Sequence, residues 1–503
     1  MTSSTNNILD LPAELLVLIV RFLEDEDVFT LRIVSRTVEQ TVFKYFAKRF
    51  FRKKGFMITT PSLDVLQQIS QQDQLKPYVQ HVWFNPDCYT YVEPDCAPEA
   101  VDDDTGWRRH RRPEDEAKYK AYLSCHSDHI RLLRKPSKGL ENLLTTALQQ
   151  LPNLKIIGMR RSEDHKPWGW RTLKDSIGED PRVTGPTPSG PQYSLSGPTL
   201  LFLFLVRAVA ASNIVIRRFY TDAIELDNIR PAQLPQDLLS KACSSIWYLE
   251  INITKAWLAN SDNHVLCDTL DDPASYGRGL ISLLRATTNL KELGLQLFPD
   301  QRSLRTHNLA YQHPSDWQKT YPYLCFTALA LNVQLVHLTR IKLERIITRS
   351  DTLISFLIPS APHLTSLKLR DIRLLSHSNF REPWRKFLTF LLDSCPQLKY
   401  MFFYRLLHSR GGISFLENPP LPLPLSETDP TTGAPNPSFS EGEETDAQEF
   451  FLKYEHIALR ASGREEVRRK LEVVRERHWY LKPIMGYQLD EDLWHTDTSD
   501  EEW

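Results

Sequence analysis

The stretch Leu364-Thr-Ser-Leu-Lys-Leu-Arg370 is apolar at its first, fourth and sixth positions, and its last four residues alternate apolar with charged. Alternation with a period of two is the pattern of a strand that buries one face. The same spacing, Φ-x-x-Φ-x-Φ with Φ apolar, recurs as Val79/Val82/Phe84, Leu154/Ile157/Met159, Ile246/Leu249/Ile251 and Leu290/Leu293/Leu295. It returns in Leu338/Ile341/Leu343 and Leu398/Met401/Phe403, while Ile216/Phe219 starts a further copy that ends on Thr221. Most copies follow leucines and phenylalanines at helical spacing, such as Leu140, Leu144 and Leu148 before Leu154, or Leu353, Phe356 and Leu357 before Leu364. Helix then short strand, repeated in order, predicts an α/β chain built as an irregular solenoid with parallel strands.

Over roughly residues 76–408 this pattern resembles a leucine-rich repeat array. Two features depart from that family. The copies lie between 26 residues (Leu338 to Leu364) and 75 residues (Val79 to Leu154) apart, where the family runs at about 20–29. The Asn or Cys three residues beyond the last leucine is replaced by Phe298, Ile346, Ile372 and Leu406. Without that polar ladder the turns are expected to be irregular, and the convex side to carry helices longer than one 3₁₀ turn.

Composition bounds what surrounds the repeats. In 503 residues, 61 Lys and Arg face 63 Asp and Glu, and 41% of the chain is hydrophobic. This excludes global disorder, and the lack of a basic excess argues against binding nucleic acid or an anionic membrane. The seven cysteines are odd in number and contain no C-x-x-C pair, so reduced thiols in a cytoplasmic and/or nuclear protein are expected. The start lacks the basic region of a secretory signal, and the apolar run Leu200–Val206 is far shorter than the ~20 residues a membrane span needs. Composition shifts divide the chain into a disordered N-terminus (1–7), a helical block (8–56) and the repeat region (57–410) with a mobile loop at 183–198. A disordered Pro- and acid-rich segment (411–449), a helical segment (450–488) and an acidic tail (489–503) follow.

The helical block carries the sequence Leu11-Pro-Ala-Glu-Leu-Leu-Val-Leu-Ile-Val-Arg-Phe-Leu23. Pro12 suits a helix start, where its missing N–H costs nothing. Leu15, Leu16, Ile19, Phe22 and Leu23 form one stripe, yet Val17, Leu18 and Val20 are apolar as well. A helix greasy nearly all round has to be covered from two sides. Asp27 is placed to cap a second helix that runs through Leu31 and Val34, and Val42, Phe43, Phe46, Phe50 and Phe51 supply a third. Three helices in about 45 residues make too small a core to be secure alone, so both facts call for a partner.

Leu11, Pro12, Glu14, Leu15, Ile19, Phe22, Leu23, Asp27, Leu31, Val34, Ser35 and Arg36 match, in order and spacing, the pattern of the F-box. This block therefore resembles the module through which substrate receptors join Skp–cullin–F-box ubiquitin ligases. The resemblance implies that Leu11, Pro12, Leu15, Leu16, Ile19, Leu31 and Val34 dock on a Skp-type adaptor, with a cullin reached through it. The order, F-box followed by a degenerate leucine-rich solenoid, also resembles fungal F-box proteins. The implied function is that of a non-catalytic substrate-recognition subunit; the alternative is an interaction or assembly protein that uses the adaptor without a cullin.

No motif in the chain asks for catalysis or a cofactor. Gly277-x-Gly279 stands alone, and G-x-S-x-G, H-E-x-x-H and a Walker lysine are absent. Cys125-His126-x-x-His129 has helical spacing but lacks the second pair of ligands that a metal site requires, so no metal is expected. The residues beside the inner apolar pair of each strand point to the opposite face of the sheet. They include Trp83, Asn85, Arg160 and Glu250, then Lys342, Lys368, Arg370, Phe402 and Tyr404. The last five combine cations with aromatics, a set suited to an acidic or phosphorylated peptide of a target protein.

Overall fold

A computed structural model describes residues 11–89, 113–134, 139–161, 166–181, 183–184, 195–222, 224–253, 276–297, 321–375, 383–408, 411–412 and 458–476. The chain forms two compact units, one built mainly on Met1–Leu249 and the other on Glu250–Trp257, Asp262–Arg285 and Asn289–Trp503.

The first unit begins with helices α1 (Ala13–Phe22), α2 (Asp25–Val34) and α3 (Arg36–Phe51). Leu16, Val20, Val28, Val38, Val42 and Phe46 form their common core, with Leu11, Leu23 and Leu31 packed against it. Pro12 occupies the cap position of α1, and its carbonyl accepts the N–H groups of Leu15 and Leu16. Ser35 caps α3 through its hydroxyl, which accepts the Thr37 N–H at 3.2 Å. Asp27 does not cap α2; Glu24 holds that position and Asp27 falls in the first turn, where its charge favours the helix dipole.

Strand β1 (Lys53–Met57) then opens a parallel sheet. It continues through α4 (Thr60–Gln71), β2 (His81–Asn85), β3 (Cys88–Tyr89), α5 (Pro113–Arg134), α6 (Gly139–Gln149) and β4 (Ile156–Met159). After α7 (Trp170–Ile177) come β5 (Val183–Thr184), α8 (Gly197–Ser212), β6 (Arg218–Tyr220) and α9 (Gln236–Cys243). Phe56 pairs with Phe84, Phe84 with Met159, and Ile157 with Phe219, all in parallel. The apolar run Leu200–Val206 lies in α8, which is buried almost all round, as a helix without a polar face must be.

The division falls within β7 (Tyr248–Ile253). The second unit contains α10 (Arg278–Ala286), β8 (Glu292–Leu297), α11 (Tyr321–Asn332), β9 (Arg340–Glu344), β10 (Ile347–Arg349) and α12 (Ser350–Leu357). It goes on with β11 (Ser366–Arg370), β12 (Arg373–Leu375), α13 (Pro383–Ser394), β13 (Tyr400–Tyr404), β14 (Leu407–His408), β15 (Gly411–Gly412), β16 (Ala458–Ser462) and α14 (Arg464–Glu476). Leu293, Ile341, Leu367 and Met401 share one register row, and Leu295, Leu343, Leu369 and Phe403 the next.

The repeat motifs coincide with β2, β4, β6, β7, β8, β9, β11 and β13, and all apolar positions of the seven complete copies are at most 4% exposed. At about 1.5–3 kcal/mol for each fully buried Leu, Ile or Phe, this repeated burial is what makes helix and strand cohere. Contrary to expectation, the turns after β9, β11 and β13 are regular. Each places one residue at positive φ (Arg345, Asp371, Arg405) and then buries Ile346, Ile372 or Leu406 completely or nearly so. An apolar ladder thus stands where the polar one was missing, and it starts a second parallel row, β10–β12–β14.

Other expectations need correction. The segment 450–488 is not wholly helical: Leu459 and Ala461 alternate inward on β16, antiparallel to β13, before Gly463 turns the chain into α14. Within the loop expected at 183–198, Val183–Thr184 pairs with Cys88–Tyr89 and Gly197 already belongs to α8. Residues 1–7 and 489–503, and all of 411–449 beyond the first two positions, lie outside the described residues. Among the described residues no helix is long and apolar enough to cross a membrane.

Candidate docking surfaces

The first candidate lies on the N-terminal helices. Arg49 of α3 donates to the carbonyl of Val20 in the last turn of α1 at 3.3 Å and to that of Leu23, the residue following α1, at 3.0 Å, and it pairs with Asp25 at the start of α2. Arg32 reaches Glu39 at 2.8 Å and lies 3.5 Å from the centre of the Phe46 ring. These contacts fix the three helices from one side. On α1 the opposite stripe, Leu15, Leu18, Ile19 and Phe22, is exposed, and Phe22 to 81%. On α2 Phe29, Ile33 and Val34 are exposed, Ile33 to 85%.

Of the seven residues expected to meet an adaptor, Pro12, Leu15, Ile19 and Val34 are therefore on the surface. Leu11 and Leu31 are half-buried against the core. Leu16 is a correction: at 3% exposure it belongs to the core of the three helices, because it shares a face with Val20 one turn on. Leu18, Phe22, Phe29 and Ile33 were missed as surface residues. Their signal was the excess of apolar residues over what one buried stripe can use.

The second candidate is the half-exposed face of β9, β11 and β13. Parallel register aligns Lys342, Lys368 and Phe402 in one row and Glu344, Arg370 and Tyr404 in the next. The structure thus brings the five expected residues together. The Phe402 and Tyr404 rings are parallel, with centres 6.4 Å apart. Lys368 Nζ lies 5.5 Å from the Tyr400 ring, and the Arg370 guanidinium 5.4 Å from that of Tyr404, both within cation–π range.

Lys342 differs from the other cations. Its Nζ lies 3.2 Å from Glu250 and 3.3 Å from Glu344. Burial works against its charge, but the two carboxylates outweigh that and hold its pKa above the ordinary lysine value. Glu250 sits two strands away from Lys342, about 9.5 Å at usual strand spacing. It reaches across because residue 294 between them is glycine: a Cβ there would stand 3.0 Å from Glu250 Cγ.

In the first unit two residues expected on this face are buried instead. Trp83 lies flat on the neighbouring strand over Gly55, where a Cβ would come within 2.1 Å of the ring. Asn85 donates to the Tyr89 hydroxyl at 2.7 Å.

The Cys125-His126-x-x-His129 segment lies on α5. His126 Nδ1 is 3.0 Å from Cys88 Sγ, His129 is buried, and burial helped by Asp128 pushes the Cys125 thiol up to about 11. Among the described residues no three His, Cys, Asp or Glu side chains are grouped to hold a metal.

Residues 8–44 match the family model of the F-box domain. The helices with the exposed apolar surface are thus an F-box, a domain that indicates a role in binding the Skp-type adaptor of ubiquitin ligases; F-box proteins are generally non-catalytic adaptors for substrates. No curated protein matches the chain.

Proposed function

We propose that this chain is the substrate-recognition subunit of a Skp–cullin–F-box ubiquitin ligase, working in the cytoplasm and/or nucleus. The F-box joins the adaptor, and through it a cullin. The helix-and-strand region acts as a leucine-rich-repeat-like solenoid that holds the target, with Lys368, Arg370, Phe402 and Tyr404 as its contacts and Lys342 supporting them. No catalytic residue is needed, since the ligase acts by raising the local concentration of target lysines near the ubiquitin-charged enzyme.

One observation carries the reading: Leu15, Leu18, Ile19 and Phe22, with Phe29, Ile33 and Val34, form exposed apolar stripes on a domain that matches the F-box. Exposed apolar surface of this kind marks a protein–protein contact. Co-purification of the full chain with a Skp-type adaptor and a cullin, beside a Leu15→Asp/Ile19→Asp variant, tests it. The wild type is expected to retain both partners and the variant neither. Adaptor without cullin would favour an assembly role, and a folded wild type that binds no adaptor would overturn the proposal.

A further inference from the structure

We propose that Lys54 and Trp168, at the outer edge of β1, form a docking site for an acidic segment of a partner protein, apart from both surfaces described above.

The Lys54 ammonium group stands between two rings, 4.8 Å from the centre of Phe51 and 5.6 Å from that of Trp168, both within cation–π range. Phe51 is fixed from the F-box side, where it packs against the helical core with its ring 5.8 Å from Phe46. Trp168 is fixed from the strand side. Its N–H donates to the Gly55 carbonyl at 2.7 Å, and its carbonyl accepts the Met57 N–H at 3.1 Å and the Ser62 hydroxyl at 2.8 Å. Gly169 (φ 96°) then turns the chain into α7, in a left-handed conformation that glycine adopts without strain. Both backbone polar groups of Trp168 are thus held in place while its side chain shares in a residue 48% exposed. A large aromatic residue kept rigid at the surface is the form of an interface anchor.

Lys54 lacks a counter-charge. Among the described residues no carboxylate pairs with it, and burial alone pulls its pKa below the ordinary lysine value. Lys342, also part-buried on a strand, instead meets two carboxylates of its own sheet. The segment next to Trp168 adds cations: Lys166 and Lys174 lie 4.4 and 5.2 Å from the Trp170 ring. Their acid is Asp180, which pairs with Lys174 at 2.5 Å and also feels the charge of Lys166. Among the described residues, the three ammonium groups on these two indoles thus have one paired carboxylate between them. Removing an ammonium group from water without an opposite charge is costly, and aromatic faces offset only part of that cost.

The chemistry selects an acidic peptide. One carboxylate would meet Lys54, an apolar neighbour would cover the exposed indole, and Lys166 would favour further acids in the flanks. Lysine offers a point charge and lacks the fork with which arginine grips phosphate. Nucleic acids and anionic membranes ask for a broad basic surface, whereas the whole chain carries 61 Lys and Arg against 63 Asp and Glu.

The test is fluorescence anisotropy of labelled short peptides titrated with the full chain at fixed salt. One pool carries a central Asp-Leu-Glu between random flanks, a second carries Asn-Leu-Gln, and a short DNA duplex is the third probe. The acidic pool is expected to bind at least tenfold more tightly than either of the others. Lys54→Gln and Trp168→Ala should each weaken that binding at least tenfold, while Lys54→Arg, which keeps the charge, should stay within about threefold of wild type. Lys241→Gln, which removes an exposed lysine of α9, should have no effect. Carbodiimide coupling, which joins an amine directly to a carboxylate, should link the acidic pool to Lys54 in the unaltered protein, so that the result does not depend on how any variant folds. Equal binding by the amide pool, an equal loss in Lys241→Gln, or coupling spread evenly over the surface lysines would overturn the inference. Duplex binding as tight as that of the acidic pool would overturn the peptide as occupant.

Discussion

The F-box helices and the face of β9, β11 and β13 both present side chains to solvent, but these differ in what they touch. On α1 and α2 the exposed residues are apolar, among them Phe22, Phe29 and Ile33. On the strand face the charges meet one another or lie on rings: Lys342 on Glu250 and Glu344, Arg340 on Glu292, Lys368 on Tyr400. Apolar surface left in water is a standing cost that only a partner relieves. Charges paired within one sheet serve its register first, so they identify a ligand less sharply. The helices therefore point to a partner more directly than the strand face does.

The sharpest way to break this contrast uses two neighbours in one helix. Leu15 is exposed and Leu16 is core. Leu16→Ala should cost about 2–5 kcal/mol of folding stability. Leu15→Ala should leave the melting temperature of the F-box within about 2 °C of wild type while weakening adaptor binding about tenfold or more. Thermal melts beside adaptor titrations would check both. If the two substitutions had the same effect on stability, α1 would not have separate inner and outer faces.

On the strand face the corresponding change is Lys342→Met. The pair contacts are partly open to solvent and screened, so the expected loss is about 1 kcal/mol. Its pH dependence has a definite sign. The folded pKa is raised, so the contribution is complete below the ordinary lysine value of about 10.4 and disappears only as pH rises through the folded value. The stability gap between wild type and variant, measured by urea unfolding, should stay flat from about pH 6 to 10. A gap already closing at pH 8 would mean that Glu250 and Glu344 do not hold the charge.

The sequence announced these regions unequally. Strand positions could be read because burying one face demands a strict alternation, as in Leu367 and Leu369. The F-box could be read because its apolar excess follows a fixed spacing. Leu16 was misplaced because a helix apolar on both faces does not say which face turns inward. The regular turns were missed because their common feature is the backbone conformation shared by Arg345, Asp371 and Arg405, which such bulky charged residues do not advertise. β16 was missed because five alternating residues beside a long helix carry too little pattern. The link between Glu250 and Lys342 was out of reach for another reason: it joins strands 92 residues apart in the chain.

That link yields the smallest but most discriminating expectation, at Gly294. The backbone there is not of the left-handed kind, so alanine brings no conformational strain, only a Cβ 3.0 Å from Glu250 Cγ and 3.4 Å from its Cβ. The Glu250 side chain can move aside, and in doing so it gives up its 3.2 Å contact with Lys342. Gly294→Ala should therefore destabilise the wild type by up to about 1 kcal/mol. In a Glu250→Ala background there is no contact left to lose. The same substitution then only restricts the unfolded chain, and should stabilise by about 0.4–1 kcal/mol. Urea unfolding of the four proteins measures this reversal of sign. Destabilisation in both backgrounds would trace the conflict to the backbone of β7, and Gly294 would then be a packing requirement of the sheet, independent of the charge that passes over it.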